Sequence, residues 1–367
     1  MVIFLYISVV VQSKTKGITR LVRPSVRRLT AYRVNETRAR IKLDAMENPF
    51  PLPEAVRSEI ADAAKDALIN RYPDPSARAL KTSISEMWGI PAQWMMLGNG
   101  SDELIQAVVL AFGGPVVSPV PSFAMYGITA AALSQKFVAV PLQRDFSLNP
   151  DAVIKKAREV CAKVIFLACP NNPTGNRFSD DAVSMILNKS GASVVIDEAY
   201  YSFSGRTWLS ELPHHRNMII LRTLSKIGLA GLRIGILAAA EDVVEELNKV
   251  RLPYNINTLS QAAASIVLRH RDILDSQISL LISERERLYN GLSAIPGVKV
   301  YRSETNFILI RTDKDATAIY KRLKEAGILI KDLNSPGLLR NCLRITVGTP
   351  AENDEFLSAF RTISAEA

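Results

Sequence analysis

The chain has 367 residues, long enough for two domains or for one large domain with a smaller satellite. With 48% hydrophobic and 22% charged residues it can bury a full core, which excludes a disordered or fibrous chain. Its 45 basic and 36 acidic residues leave a net charge of +9, yet it has no zinc-finger spacing, RNP signature or basic region feeding a heptad, so nucleic-acid binding is set aside. The basic residues are spread out, apart from Arg20, Arg23, Arg27 and Arg28, and such a field also suits an enzyme handling small anions.

The chain opens on MVIFLYISVVVQ, an apolar run too short for a bilayer, which takes about 20 residues, and without the flanks of a secretory signal. Residues 1–21 are read as a disordered or non-native extension, and residues 22–74 as an N-terminal arm that joins a smaller domain. Helical periodicity runs through residues 76–88, and a second helix opens after Gly98-Asn99-Gly100. Short strands follow at residues 115–118 and 137–142, then a helix over 150–160 and the apolar strand KVIFLAC at 163–169. A loop at 170–175, a helix over 179–188 and strands at 192–197, 217–222 and 233–239 continue the series. Strands alternating with amphipathic helices predict an α/β fold, a mostly parallel sheet covered on both faces, over residues 75–270.

From residue 272 to about 295 one long helix is expected. Strands at 298–301, 306–311, 328–331 and 342–347, with a helix over 316–326 and a closing helix, then read as a smaller α+β domain, residues 271–367. Cys161, Cys169 and Cys342 make no disulfide framework, and His214, His215 and His270 offer no metal-ligand spacing. No metal is expected, and reduced thiols suit a cytoplasmic protein.

Ligands of parallel sheets sit at the carboxyl ends of the strands. Four short segments stand at such positions: GNGSDE (98–103), NNPTG (171–175), DEAY (197–200) and TLSKIGLAGLR (223–233). Each alone has an ordinary explanation: a tight turn, a helix cap, a solvated lysine. In this order, each at a strand end or helix start, they can converge on one crevice.

The set resembles the fold-type-I pyridoxal-phosphate aminotransferases, classes I and II, and the likeness covers roughly residues 22–365. That resemblance implies a seven-stranded, mostly parallel sheet in the large domain. It implies pyridoxal 5′-phosphate as cofactor, carried covalently by Lys226, with Asp197 beside the ring nitrogen. Asn172 and Tyr200 correspond to residues at the ring hydroxyl, and Phe123, in PSFAMY, to the aromatic on the ring face. Ser101, Asp102, Thr223, Ser225 and Arg233 correspond to the phosphate cradle, although Arg233 follows Lys226 by seven positions where several relatives have eight. Tyr72, in RYPDP, matches a tyrosine reaching the cofactor phosphate of a neighbouring subunit, which implies a homodimer with shared active sites.

Within that family the text RPSVRRLTAY, LDAMENPFPLP, RYPDP, TNFILIR and CLRITVGTPAEN is most similar to histidinol-phosphate aminotransferases, although parts of it recur in threonine-phosphate decarboxylases and aromatic aminotransferases. The likeness implies histidinol phosphate and 2-oxoglutarate or glutamate as small-molecule partners, with no nucleic acid and no membrane. Tyr32, Arg344 and Lys331 are the corresponding substrate-binding residues; Lys331 stands where relatives often carry arginine, keeping the charge but losing the fork. One other class stays open and a second is excluded. One is a non-catalytic binding protein on the same scaffold, which fold alone does not exclude. The other, an NAD-dependent dehydrogenase, needs a Gly-x-Gly-x-x-Gly turn that GNGSDE does not supply.

Overall fold

The computed structural model describes residues 17–31 and 37–366. Tyr32 and the expected extension up to residue 16 lie outside the described residues. Residues Gly17–Leu21 form a short, exposed 3-10 helix, and Arg23 donates to the carbonyl of Ala132 at 2.8 Å.

The strands, in chain order, are β1 (Ile41–Lys42), β2 (Met95–Asn99), β3 (Val116–Val120), β4 (Phe137–Pro141), β5 (Val164–Ala168), β6 (Ser193–Asp197), β7 (Met218–Thr223), β8 (Ile234–Ala239), β9 (Val298–Val300), β10 (Phe307–Thr312), β11 (Ile328–Leu329), β12 (Lys331–Asp332) and β13 (Cys342–Thr346). Seven of them form one sheet in the order β2-β8-β7-β6-β5-β3-β4. The pairs from β7 through β4 are parallel, and only β8 runs against its neighbours.

The sequence explains this sheet. VIFLA in β5 and MIILRT in β7 are buried at every position, as strands covered on both faces must be. Alternate residues feed two cores: Ile165, Leu167, Val194, Ile196 and Ile220 on one face, Val164, Phe166, Val195, Ile219 and Leu221 on the other. Helices Pro150–Glu159 and Asp180–Lys189 begin where Asn149 and Ser179 accept a first-turn backbone N–H, satisfying donors the helix itself leaves open. The parallel run places the ends of β3, β5, β6 and β7 at one edge, which carries PSF, NNPTG, DEAY and TLSK.

A second sheet has the order β12-β13-β10-β9, antiparallel throughout. Residues 328–331, expected as one strand, are two. β11 pairs with β1 in a separate two-stranded parallel sheet, while Lys331 in β12 pairs with Arg344. Ile328, Leu329 and Ile330 are all buried, so the in-out alternation of a single half-buried strand is broken and the chain changes sheets there. Helices Glu54–Asp66, Glu241–Asn248 and Thr258–Arg269 and strand β2 add to the elements read from the sequence. Among the described residues no helix is long and apolar enough to cross a membrane.

Candidate active site

A cavity of about 390 Å³ opens at the carboxyl edge of the seven-stranded sheet. Phe123, Asn172, Asp197, Tyr200 and Lys226 line it, and so do Ser101, Asp102, Thr223, Ser225 and Arg233. Segments separated by more than a hundred residues therefore meet at one crevice, as the strand order requires.

Lys226 sits in the single 3-10 turn Ser225–Ile227 that follows β7. Gly228 ends this turn at φ 119°, a conformation L side chains rarely adopt, and Asn48 packs against it while donating to the carbonyl of Ile227 at 3.2 Å. Burial, with the Arg344 cation adding to it, lowers the Lys226 ammonium from its usual value to about 8. At pH 7.5 roughly a quarter of these amines are neutral, against about one in a thousand for an ordinary lysine. Such an amine is both a nucleophile toward a carbonyl carbon and a proton carrier at neutral pH.

Asp197 ends β6 and is buried. Its Oδ2 accepts from the Tyr126 hydroxyl at 2.6 Å and its Oδ1 from the Ala199 backbone N–H at 3.1 Å. Burial raises the carboxyl to about 6, and the Tyr126 and Ala199 hydrogen bonds pull it back. Both hydrogen-bond partners are neutral, so this carboxylate can still pair with a cationic group that enters the cavity.

An anion cradle lies beside these groups. Ser101 and Asp102 open the helix Ser101–Phe112, whose first-turn N–H groups and dipole favour negative charge. The Thr223 hydroxyl donates to Ser225 Oγ at 2.9 Å, and Arg233 reaches Ser225 Oγ at 3.4 Å and Asp102 Oδ2 at 3.5 Å. The one-residue-shorter loop thus still brings Arg233 to the cavity. It fits because Gly100 leaves room for the guanidinium, and because Gly235 lets β8 lie directly on the Gly100–Ser101 peptide, where a Cβ would stand 2.5 Å from Ser101 N.

Arg344, on β13, stands at the cavity's edge. Its Nη1 donates to Asn172 Oδ1 at 2.6 Å and its Nη2 to the carbonyl of Asp44 at 2.9 Å. Asn172 Nδ2 in turn donates to the Tyr200 hydroxyl at 3.3 Å. Lys331 is Arg344's register partner on β12, partly buried, and helps hold down the Asp44 carboxyl that burial raises. Tyr72 is not in the cavity of its own chain. It is 80% exposed and stacked on Tyr254, ring centroids 4.4 Å apart.

Two residues in contact with this site escaped the sequence reading. Tyr126 was visible only as the end of PSFAMY; its three-residue helical offset from Phe123 was the available signal. Met46 lines the cavity at φ 55°, with its sulfur 3.5 Å from the Tyr200 hydroxyl. Its N–H is tied to Thr346 Oγ1 and its carbonyl to Asn306 Nδ2, each at 3.0 Å, so the C-terminal sheet holds a backbone angle that methionine does not announce. For Tyr126→Phe, losing a hydrogen bond to a carboxylate is expected to raise the Asp197 pKa by about one unit. The acid limb of the pH–rate profile then moves to higher pH by that amount; an unmoved limb contradicts the assigned contact.

A desolvated lysine, a buried carboxylate and an anion cradle around one cavity are chemical complements of an aldehyde, a basic ring nitrogen and a phosphate dianion. The model of the family "Aminotransferase class I and II" matches residues 38–360. The chain is 46% identical over 347 residues to histidinol-phosphate aminotransferase 2 of Nitrosococcus oceani, covering 93% of this chain and 96% of that one. In structure it is similar to the histidinol-phosphate aminotransferase of Sinorhizobium meliloti in complex with pyridoxal 5′-phosphate, with TM-score 0.85, 25% identity and coverage of 94% and 97%. It is also similar to the L-threonine-O-3-phosphate decarboxylase of Porphyromonas gingivalis, with TM-score 0.76, 25% identity and coverage of 89% and 100%. The chain belongs to the class I and II aminotransferases and is a pyridoxal-phosphate-dependent enzyme. When bound, that cofactor supplies the electron sink for a carbanion next to nitrogen.

Proposed function

We propose that this enzyme transfers the amino group of L-histidinol phosphate to 2-oxoglutarate, giving imidazole-acetol phosphate and glutamate, a step of histidine biosynthesis. The observation that carries the reading is the identity of 46% over nearly the whole length of a relative bearing that name. The residues are chemically suited to it. One pocket has to accept the α-carboxylate of glutamate and the phosphate ester of histidinol phosphate in turn, and a guanidinium fork such as Arg344 binds either. Lys331, in register beside it, adds a second cation without bidentate geometry.

In this reading Lys226 holds the cofactor and then moves the proton at the substrate Cα. Asp197 keeps the ring nitrogen protonated, Asn172 and Tyr200 orient the ring hydroxyl, and Phe123 covers the ring face. Ser101, Asp102, Thr223, Ser225 and Arg233 receive the phosphate. Tyr32 is assigned to the substrate from the resemblance alone.

Tyr72 reaches the neighbouring subunit's phosphate in the same reading, so the working enzyme is a homodimer. Its exposure supports this, as does the exposed apolar group of Leu68, Ile69 and Leu252. Residues 75–270 form the cofactor domain and residues 271–367, with part of the N-terminal arm, the smaller one. Free Cys161, Cys169 and Cys342 suit a cytoplasmic setting, and burial pushes the Cys169 thiol up to about 12, far from a reactive thiolate.

The test is a coupled assay with purified protein. Histidinol phosphate and 2-oxoglutarate are expected to yield glutamate at an enzymatic rate, well above that with phenylalanine as donor. Carbon dioxide release from threonine phosphate, without glutamate formation from histidinol phosphate, moves the reading to the decarboxylases. Tyr72→Phe is expected to weaken cofactor retention about tenfold to a hundredfold, the loss of one hydrogen bond to a charged group being worth on that order; unchanged retention removes its cross-subunit role.

A further inference from the structure

Behind the active site, on the opposite face of the sheet, the ends of β6 and β7 are joined by a buried charge pair. Arg222 donates to Glu198 Oε2 from Nε at 3.0 Å and from Nη2 at 2.9 Å, with both side chains almost wholly buried. The Thr207 hydroxyl accepts from Arg222 Nη2 at 2.6 Å and donates to Glu198 Oε2 at 2.8 Å, and the Trp208 N–H donates to Oε1 at 2.5 Å. The guanidinium carbon stands 3.7 Å from the centroid of the Tyr201 ring and 4.3 Å from that of Trp88.

Neither charge lines the cavity, and a buried ion pair of this kind is weak evidence of net stabilisation. Its place in the chain gives it another use. Glu198 directly follows Asp197, Arg222 directly precedes Thr223, and the Glu198 N–H donates to the carbonyl of Leu221 at 2.7 Å. Glu198 also raises the Asp197 carboxyl, as Asp102 does, while Tyr126 and Ala199 act against them. Arg177 also faces Glu198; it is bonded to Asp180, and the buried Cys169 thiol lies near them.

Resting on the role assigned to Asp197, we infer that Arg222 is a positioning residue of the active site. It neutralises Glu198, so that Asp197 is the carboxylate offered to the cofactor's ring nitrogen, and it ties β6 to β7, so that Asp197 stays in register with Thr223, Ser225 and Lys226. The pair acts on the chemistry only through these neighbours.

The test compares Arg222→Met, Glu198→Gln and the double variant as purified cofactor-loaded enzymes, reading the pH midpoint of the bound cofactor's visible absorbance, its dissociation rate and kcat. An unneutralised Glu198 raises the midpoint and an unneutralised Arg222 lowers it, each by about one unit, because charges this close in a poorly screened interior interact strongly. The double variant returns to within about 0.3 units of the parent, and its kcat recovers to within about threefold after a loss of tenfold or more in Arg222→Met. Midpoints that move in the same direction, or a double variant more impaired than both single ones, overturn the inference and leave a structural pair. If Arg222→Met does not fold, the downward shift in Glu198→Gln and its cancellation in the double variant still decide. Should Asp197→Asn prove as active as the parent, the fault lies in the role of Asp197; normal sensitivity there with no sign reversal here sinks only the pair.

Discussion

Lys226→Ala is expected to leave a folded protein with no measurable transamination, a loss of at least about 10⁴-fold, since in the proposed reading one amine serves as both nucleophile and proton carrier. The visible absorbance of covalently attached cofactor disappears with it. The fold survives because the substitution removes a cation that burial disfavours, and alanine fits the turn Ser225–Ile227. The parent protein carries a companion signature. With the Lys226 amine at about 8, capture of added pyridoxal phosphate by the cofactor-free enzyme quickens nearly tenfold per pH unit from 6 to 7.5 and levels off above 8. Stopped-flow absorbance checks this. A rate still climbing at pH 10 means that the reacting amine is an ordinary exposed lysine.

Asp197→Asn produces the second large effect, with opposite signs for activity and stability. Without a carboxylate facing the ring nitrogen, turnover is expected to fall by about 10²-fold or more, as when a preorganised electrostatic partner is removed. The cofactor-free protein, however, gains stability. Asp197 titrates near 6 when folded, above the usual 3.8, because burial disfavours its charged form. A carboxyl raised in this way binds more protons folded than unfolded, so stability falls as pH rises from about 4 to 6, and the full penalty holds above that. Asparagine carries no such charge, and at pH 7.5 the cofactor-free variant should be more stable by on the order of 2–3 kcal/mol. Thermal unfolding of the cofactor-free pair tests it. A variant that is less stable and equally active contradicts both halves.

The cavity residues were legible in the sequence where the chemistry is local. GNGSDE, NNPTG, DEAY and TLSK each sit on a turn whose residue types are set within a few positions, and the apolar runs before them mark the strands. What stayed hidden depends on distant partners. Arg222 and Glu198 read as two ordinary charges until β6 and β7 pair and bury them together. Met46 takes a positive φ because Thr346 and Asn306, 300 and 260 residues away, hold both its backbone groups. The break between β11 and β12 follows from a competing pairing with β1, which a run of apolar residues cannot reveal. Tyr126 was the nearest miss, since its burial against Asp197 follows from a helix starting at Met125.

The most direct measurement of the central claim is reductive trapping. The enzyme is incubated with pyridoxal phosphate, treated with borohydride and digested, and the modified peptide is sequenced by mass spectrometry. The cofactor is expected on Lys226 alone, at one per chain, and lost from the peptide in Lys226→Ala. A label carried by another lysine, or spread over several, contradicts the account.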